Sequence, residues 1–148
     1  MLKIMGKSQA SIDQMRAYIK KVNPQVSDSV TKMIPLYITE GAAEGVRGDI
    51  AFAQSCLETG NFTFAGSAVT FDQNNLCGLG VTKTGMKGNS FRTLAEGIRA
   101  QIQHLQAYAS TDRLKQKCVD PRYTYVNRGC AEYVEHLGTH ENPKGQGW

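Results

Sequence analysis

Between Asp49 and Glu58 every position except Gln54 and Ser55 is apolar. A helix with so little polar surface is expected to be buried on all sides. Ile50, Ala53, Gln54 and Leu57 fall on helical spacing, Asp49 is a candidate N-cap, and Gly60 stands where a helix stops. Glu58 therefore closes the last turn of a central helix. Three other helical stripes surround it. Ser11 and Gln14 form a capping box ahead of Ile12, Met15, Ile19 and Val22, which stop before Asn23-Pro24. A second helix starts near Ser27 or Ser29 and carries Val30, Met33, Ile34, Tyr37 and Ile38, with Pro35 expected to kink or restart it. Thr93 and Glu96 form another capping box, followed by Leu94, Ile98, Ile102 and Leu105 in a stripe that lasts to Tyr108. Residues 2 to 10 read as an extended lead-in, 61 to 90 as irregular and turn-rich, 81 to 90 as a short hairpin or loop, and 131 to 137 as a last short helix. The tail to Trp148 reads as frayed. The fold class is mainly α.

Glu58 is where chemistry enters. Burial disfavours a carboxylate, and the negative end of the helix disfavours it again. Both raise the pKa, as a general acid working near neutrality requires. A structural pairing of Glu58 with an arginine or backbone donor fits the same spacing. Glu40 and Glu44 share one helix face with no cation in register, so they read as a solvated acidic face rather than a catalytic pair. Glu96 reads as a cap, and His104 as a hydrogen-bonded structural residue. Phe62, Phe64, Phe71, Gln73, Asn74 and Asn75 offer flat rings and amides of the kind that meet sugars. Asn74-Asn75 fits equally well a turn that fixes its own backbone.

Ala53-Gln54, then Glu58-Thr59-Gly60, then Asn74-Asn75-Leu76-Cys77-Gly78-Leu79 resembles the glucosaminidase signature of glycoside hydrolase family 73. Phe91-Arg92-Thr93-Leu94 and Asp120-Pro121-Arg122-Tyr123 look like further landmarks, and the resemblance covers roughly residues 34 to 137. It implies a lysozyme-like α+β fold and cleavage of peptidoglycan glycan strands after N-acetylglucosamine, with Glu58 as general acid. Tyr125, Tyr123 and Asp72 become further catalytic candidates. Gln54, Phe64, Phe71, Gln73, Asn74 and Asn75 become candidates for binding the glycan. The chain departs from the family in one respect. No Asp or Glu lies between Gln73 and Ala95, so the β-lobe is reduced and its second carboxylate is missing. The substrate's acetamido group assisted by Tyr123, Tyr125 or Asn75 is one substitute. A water held by Asp72 or Asp120 is another, and a lytic transglycosylase with one acid–base residue is a third. A wall-binding module without turnover is a rival of a different class, and an amidase lacks a plausible zinc set.

The chain has 148 residues, which suits one domain with residues 1 to 26 as a helical lead-in to a core over 27 to 148. A net charge of +4 without any block of like charges points to no nucleic-acid tail and is compatible with an anionic wall polymer. No secretory or membrane-spanning run is visible, so the expected setting is the bacterial wall, reached as part of a larger exported protein or as a phage-type lysin. A monomer without cofactor or metal is expected. Cys56 and Cys77 read as core residues, and Cys118–Cys130 is the one disulfide worth considering. A zinc site from Cys118, Cys130, His136 and His140 departs from usual finger spacing.

Overall fold

The computed structural model describes residues 1–138 and 146–148. Among them the chain forms α1 (Ile12–Val22), α2 (Asp28–Glu44), α3 (Gly48–Glu58) and α4 (Leu94–Ala109), with single 3-10 turns at Phe71–Gln73, Tyr123–Tyr125 and Val134–His136. The described residues form no strand, only isolated bridges between Lys3 and Tyr133 and between Met5 and Val46. The fold is mainly α, and the segment between α3 and α4 is a set of turns in place of a β-lobe. No helix among the described residues is long and apolar enough to cross a membrane.

The capping box of α1 forms reciprocally: Ser11 Oγ accepts from Gln14 N–H, and Gln14 Oε1 accepts from Ser11 N–H. α2 is continuous through Pro35, so the helix does not restart there. A proline ring leaves the carbonyl one turn earlier without its helical donor, here Thr31. Arg16 of α1 fills the gap, its Nε–H donating to Thr31 O at 3.1 Å. α2 ends at Gly45 in the left-handed region (φ 73°), and α3 folds back at once. That reversal needs two glycines at the crossing. A Cβ on Gly48 would lie 2.1 Å from Tyr37 O, and one on Gly41 would lie 2.6 Å from Val46 O.

One core cluster joins all four helices and the lead-in, from Ile4, Met15 and Ile19 to Ile34, Phe52, Ile98 and Ile102. α4 is buried nearly all round, polar positions included. Three glutamines make this tolerable by standing in for backbone partners. Gln101 Nε2 donates to Ala51 O, Gln103 accepts from Val119 N–H and donates to Lys117 O, and Gln106 donates to Asp112 O. Glu40 and Glu44 are likewise buried, which corrects the solvated acidic face. Arg99 of α4 grips Glu40 through two bonds of 2.9 and 3.0 Å, and Glu44 accepts from the N–H groups of Lys115 and Gln116.

Asp49 is not the N-cap. It sits in the first turn of α3, where Arg47 binds it at 2.7 and 3.1 Å and Gln9 and Ala10 donate their N–H groups. Burial alone would raise this carboxyl, but the guanidinium and the two amides outweigh it and hold the pKa down to about 2. A depressed folded-state pKa stabilises above the ordinary carboxylate range and is lost as pH falls toward the folded value. Asp49→Asn should therefore cost about 2 kcal/mol at pH 7, with the gap to wild type shrinking between pH 4 and pH 2. Thermal melts across that range check it, and a gap independent of pH would refute it.

Candidate active site

α3 ends on a tight, left-handed reversal. Thr59 Oγ1 donates to Ser55 O at 2.7 Å and accepts from Phe62 N–H, while Asn61 N–H reaches Cys56 O and Phe64 N–H reaches Thr59 O. Gly60 takes φ 60° as expected, but Asn61, Phe62 and Phe64 also sit between φ 55° and 61°. Such positions cost on the order of 1 kcal/mol each in non-glycine residues and persist only where surroundings enforce them. Phe62 packs into the core, stacked on Phe52 at 6.0 Å. Phe64 meets Phe71 edge-on at 5.7 Å, so both rings are partly committed to packing.

This geometry places Glu58 at a rim rather than in the interior. The residue is exposed, with no hydrogen-bond or ion partner among the described residues, so neither burial nor an arginine pairing describes it. Partial desolvation still raises its pKa. Ala53 and Leu57 are exposed as well, Leu57 to 80%. These residues share one face with Gln54 and Glu58. The helix is apolar all round because that face floors a groove. A hollow of about 450 Å³ lies along it, walled by Leu2, Val134, Leu137 and Trp148. Gln54 lines the same hollow and anchors it inward, since its Oε1 accepts from Gln101 Nε2, which belongs to a buried Tyr37–Ser55–Gln101 chain.

The Asn74–Gly80 turn lies on the other side of the Glu58 carboxyl, outside this groove. Asn75 is fully buried: its Oδ1 accepts from Cys77 and Leu79 N–H, and its Nδ2 donates to Leu79 O and Asn89 O. Gln73 Oε1 accepts from Thr70 N–H, Gln73 Nε2 donates to Lys87 O, and Asn74 Nδ2 donates to Phe91 O. These amides build the turn, those of Gln73 and Asn75 through both their oxygen and nitrogen and that of Asn74 through its Nδ2 alone. The turn brings Gly78 beside the acid, where a Cβ would lie 3.6 Å from Glu58 Oε2.

Beyond Gly78 a second cleft of about 340 Å³ opens between the Gly78–Thr82 backbone and Arg122 and Tyr125, with His104 and Tyr108 behind. Tyr125 is 65% exposed there, with Arg122 seated 4.6 Å over its ring. Tyr123 lies outside both hollows. Its hydroxyl donates to Gln106 Oε1 and Arg128 covers its ring. Asp120 cannot hold a water. One oxygen meets His104 Nδ1 at 2.6 Å, the other accepts Arg122 N–H, and the side chain is fully buried. Asp72 is exposed, its carboxyl lowered by a hydrogen bond from Thr70, and it lines neither hollow.

Trp148 was missed by sequence reasoning. It is packed, not frayed: its ring lies 4.7 Å from His104, its Nε1–H donates to Cys77 O, and it borders both hollows. Its being the sole tryptophan was the available signal. Cys118 and Cys130 remain thiols, the former on the exposed loop held by Gln103 and the latter buried under α4, so the considered disulfide does not form. Cys118, Cys130 and His136 join no metal-binding cluster among the described residues, and His140 lies outside them. Cys56 is buried, its thiol pushed up to about 12 by burial, and Cys77 is raised in the same way.

The glucosaminidase family, described as mannosyl-glycoprotein endo-beta-N-acetylglucosaminidase, matches residues 34–142. The chain belongs to that family, glycoside hydrolase family 73. The match spans the last turn of α3, the Asn74–Gly80 turn and the Arg122–Tyr125 region, and it supplies most of the lining of both hollows, with Leu2, Gln146, Gly147 and Trp148 contributed from outside it. A mainly α, lysozyme-like fold fits the same membership, and the turns between α3 and α4 are where the chain departs from it. An uncharacterized protein of Borreliella burgdorferi is 39% identical over 135 residues, covering 90% of this chain. The chain spans 66% of that relative's length. No solved structure matches the chain.

Proposed function

We propose that the chain is an endo-β-N-acetylglucosaminidase that cuts bacterial peptidoglycan strands after N-acetylglucosamine, with Glu58 as the general acid. The observation that carries it is a carboxyl free of partners among the described residues and raised by desolvation, which lines one sugar-sized hollow and lies beside Gly78 at the edge of a second. Among the described residues Glu58 is the sole carboxylate bordering either hollow. No second carboxylate among the described residues stands by for a two-carboxylate route, because Asp120 is buried against His104 and Arg122 N–H and Asp72 lines neither hollow.

The second group is then the substrate's own. Glu58 protonates the glycosidic oxygen as the bond to the anomeric carbon breaks. The acetamido oxygen closes on that carbon, and water later opens the ring while Glu58 takes back a proton. Tyr125 supplies a hydroxyl on the cleft side and Gln54 an amide on the groove side. The chain works at the bacterial wall as a monomeric unit, with its first helix bracing the core.

One acid–base residue also suits a lytic transglycosylase, and the products tell the two apart. Mass spectrometry of digested peptidoglycan should show N-acetylglucosamine at new reducing ends. Anhydro-muramic ends would overturn the hydrolase and leave the transglycosylase.

A further inference from the structure

The two hollows beside Glu58 differ in chemistry. The groove along α3 is walled by Leu2, Leu57, Val134 and Leu137. The cleft beyond Gly78 is walled by backbone amides and carbonyls of Gly78–Thr82, by Arg122 and by the Tyr125 ring. Among the described residues Arg122 is the one unpaired charge there: its side-chain donors meet no acceptor and no carboxylate pairs with it. The nearest acid in sequence, Asp120, is fully buried against His104 and exposes no carboxylate oxygen to the cleft. A guanidinium over an aromatic face is held in place while its N–H donors stay available, and it suits a planar oxyanion better than any neutral sugar hydroxyl.

We propose that the Arg122–Tyr125 cleft is a carboxylate-recognition subsite that receives the anionic lactyl-peptide substituent of the muramyl sugar, selecting peptidoglycan over neutral N-acetylglucosamine polymers. The inference rests on the peptidoglycan reading above and adds the group that enforces it. In the glycan strand every second sugar bears this substituent. A strand cut after N-acetylglucosamine therefore carries one on the sugar adjoining the scissile bond. Gly78 borders both the Glu58 carboxyl and this cleft, so a substituent next to the bond reaches Arg122 without leaving the site.

Binding tests it without turnover. In the Glu58→Gln background, calorimetry at low salt compares an N-acetylglucosaminyl–N-acetylmuramyl disaccharide carrying its stem peptide with a neutral N-acetylglucosamine oligomer. The carboxylated ligand should bind about tenfold tighter, the size of one charge-assisted hydrogen bond. Arg122→Gln should bring the ratio close to one, and Arg122→Lys should retain part of it and decline with added salt. An unchanged ratio in Arg122→Gln, or no preference in the parent, overturns the proposal. If Arg122→Gln does not fold, the salt-dependent partial ratio of Arg122→Lys decides in its place. Preference without cleavage by the wild-type chain would sink the enzymatic reading alone. Cleavage with a ratio of one would sink this subsite alone.

Discussion

Glu58→Gln should lower glycan cleavage by about 10²–10⁴-fold with no loss of folding stability. The acid holds no ion pair and no hydrogen bond in the described structure, so its isosteric amide disturbs nothing inside the protein. What it removes is the proton delivered to the leaving oxygen. The pH profile supplies a second check with a definite sign. Desolvation raises the Glu58 pKa, so the carboxyl stays protonated to higher pH than an ordinary glutamate. Wild-type kcat/KM should then fall as pH rises through that raised value, and the same limb should vanish in the variant's residual activity. Turbidity loss of cell walls at equal rates for the two proteins would remove Glu58 from the mechanism. It would also favour a binding module that keeps the groove without turnover.

Local signals in the sequence were sufficient for the four α-helices, while the short helix expected over 131 to 137 is only a 3-10 turn at Val134–His136. Ser11 and Thr93 cap α1 and α4 through side-chain bonds three residues away, and Gly60 turns the chain after α3 at the expected place. The glucosaminidase signature likewise marked Glu58, Asn74 and Asn75. Partners far along the chain were not visible. Glu40 meets Arg99 across 59 positions and Glu44 meets Lys115 across 71, so a search one turn away finds neither. Pro35 misled for the same reason, since Arg16 repairs the helix from another element. The apolar sweep of α3 was legible, but not its cause. A helix face that floors a groove needs the same residues as one buried in a core, and Leu57 at 80% exposure separates the two. The turn amides show a further limit. Asn75 looks like a sugar ligand by type, yet its four bonds are intramolecular, and only the fold reveals that they are spent.

Gly97→Ala should cost about 3 kcal/mol or more and cut activity at least tenfold, although alanine is ordinarily the better helix former by about 1 kcal/mol. Gly97 lies in the first turns of α4, directly against the Asn74 backbone. A Cβ there would fall 1.8 Å from Asn74 O and 3.4 Å from the Phe91 ring. Backbone cannot swing aside as a flexible side chain does. The helix must move off the turn, or the turn must move off the helix. The second course displaces Asn75, and with it the four bonds that hold Cys77, Leu79 and Asn89. Gly78 rides on that turn beside the Glu58 carboxyl, so a shift of about 1 Å alters the acid's approach to the bond it protonates. Stability and turnover should therefore fall together, the first read from thermal melting and the second from cell-wall turbidity. A variant that melts at or above wild type would show that α4 and the Asn74 turn are not in contact at this glycine. It would also detach the geometry of the turn from the acid it faces.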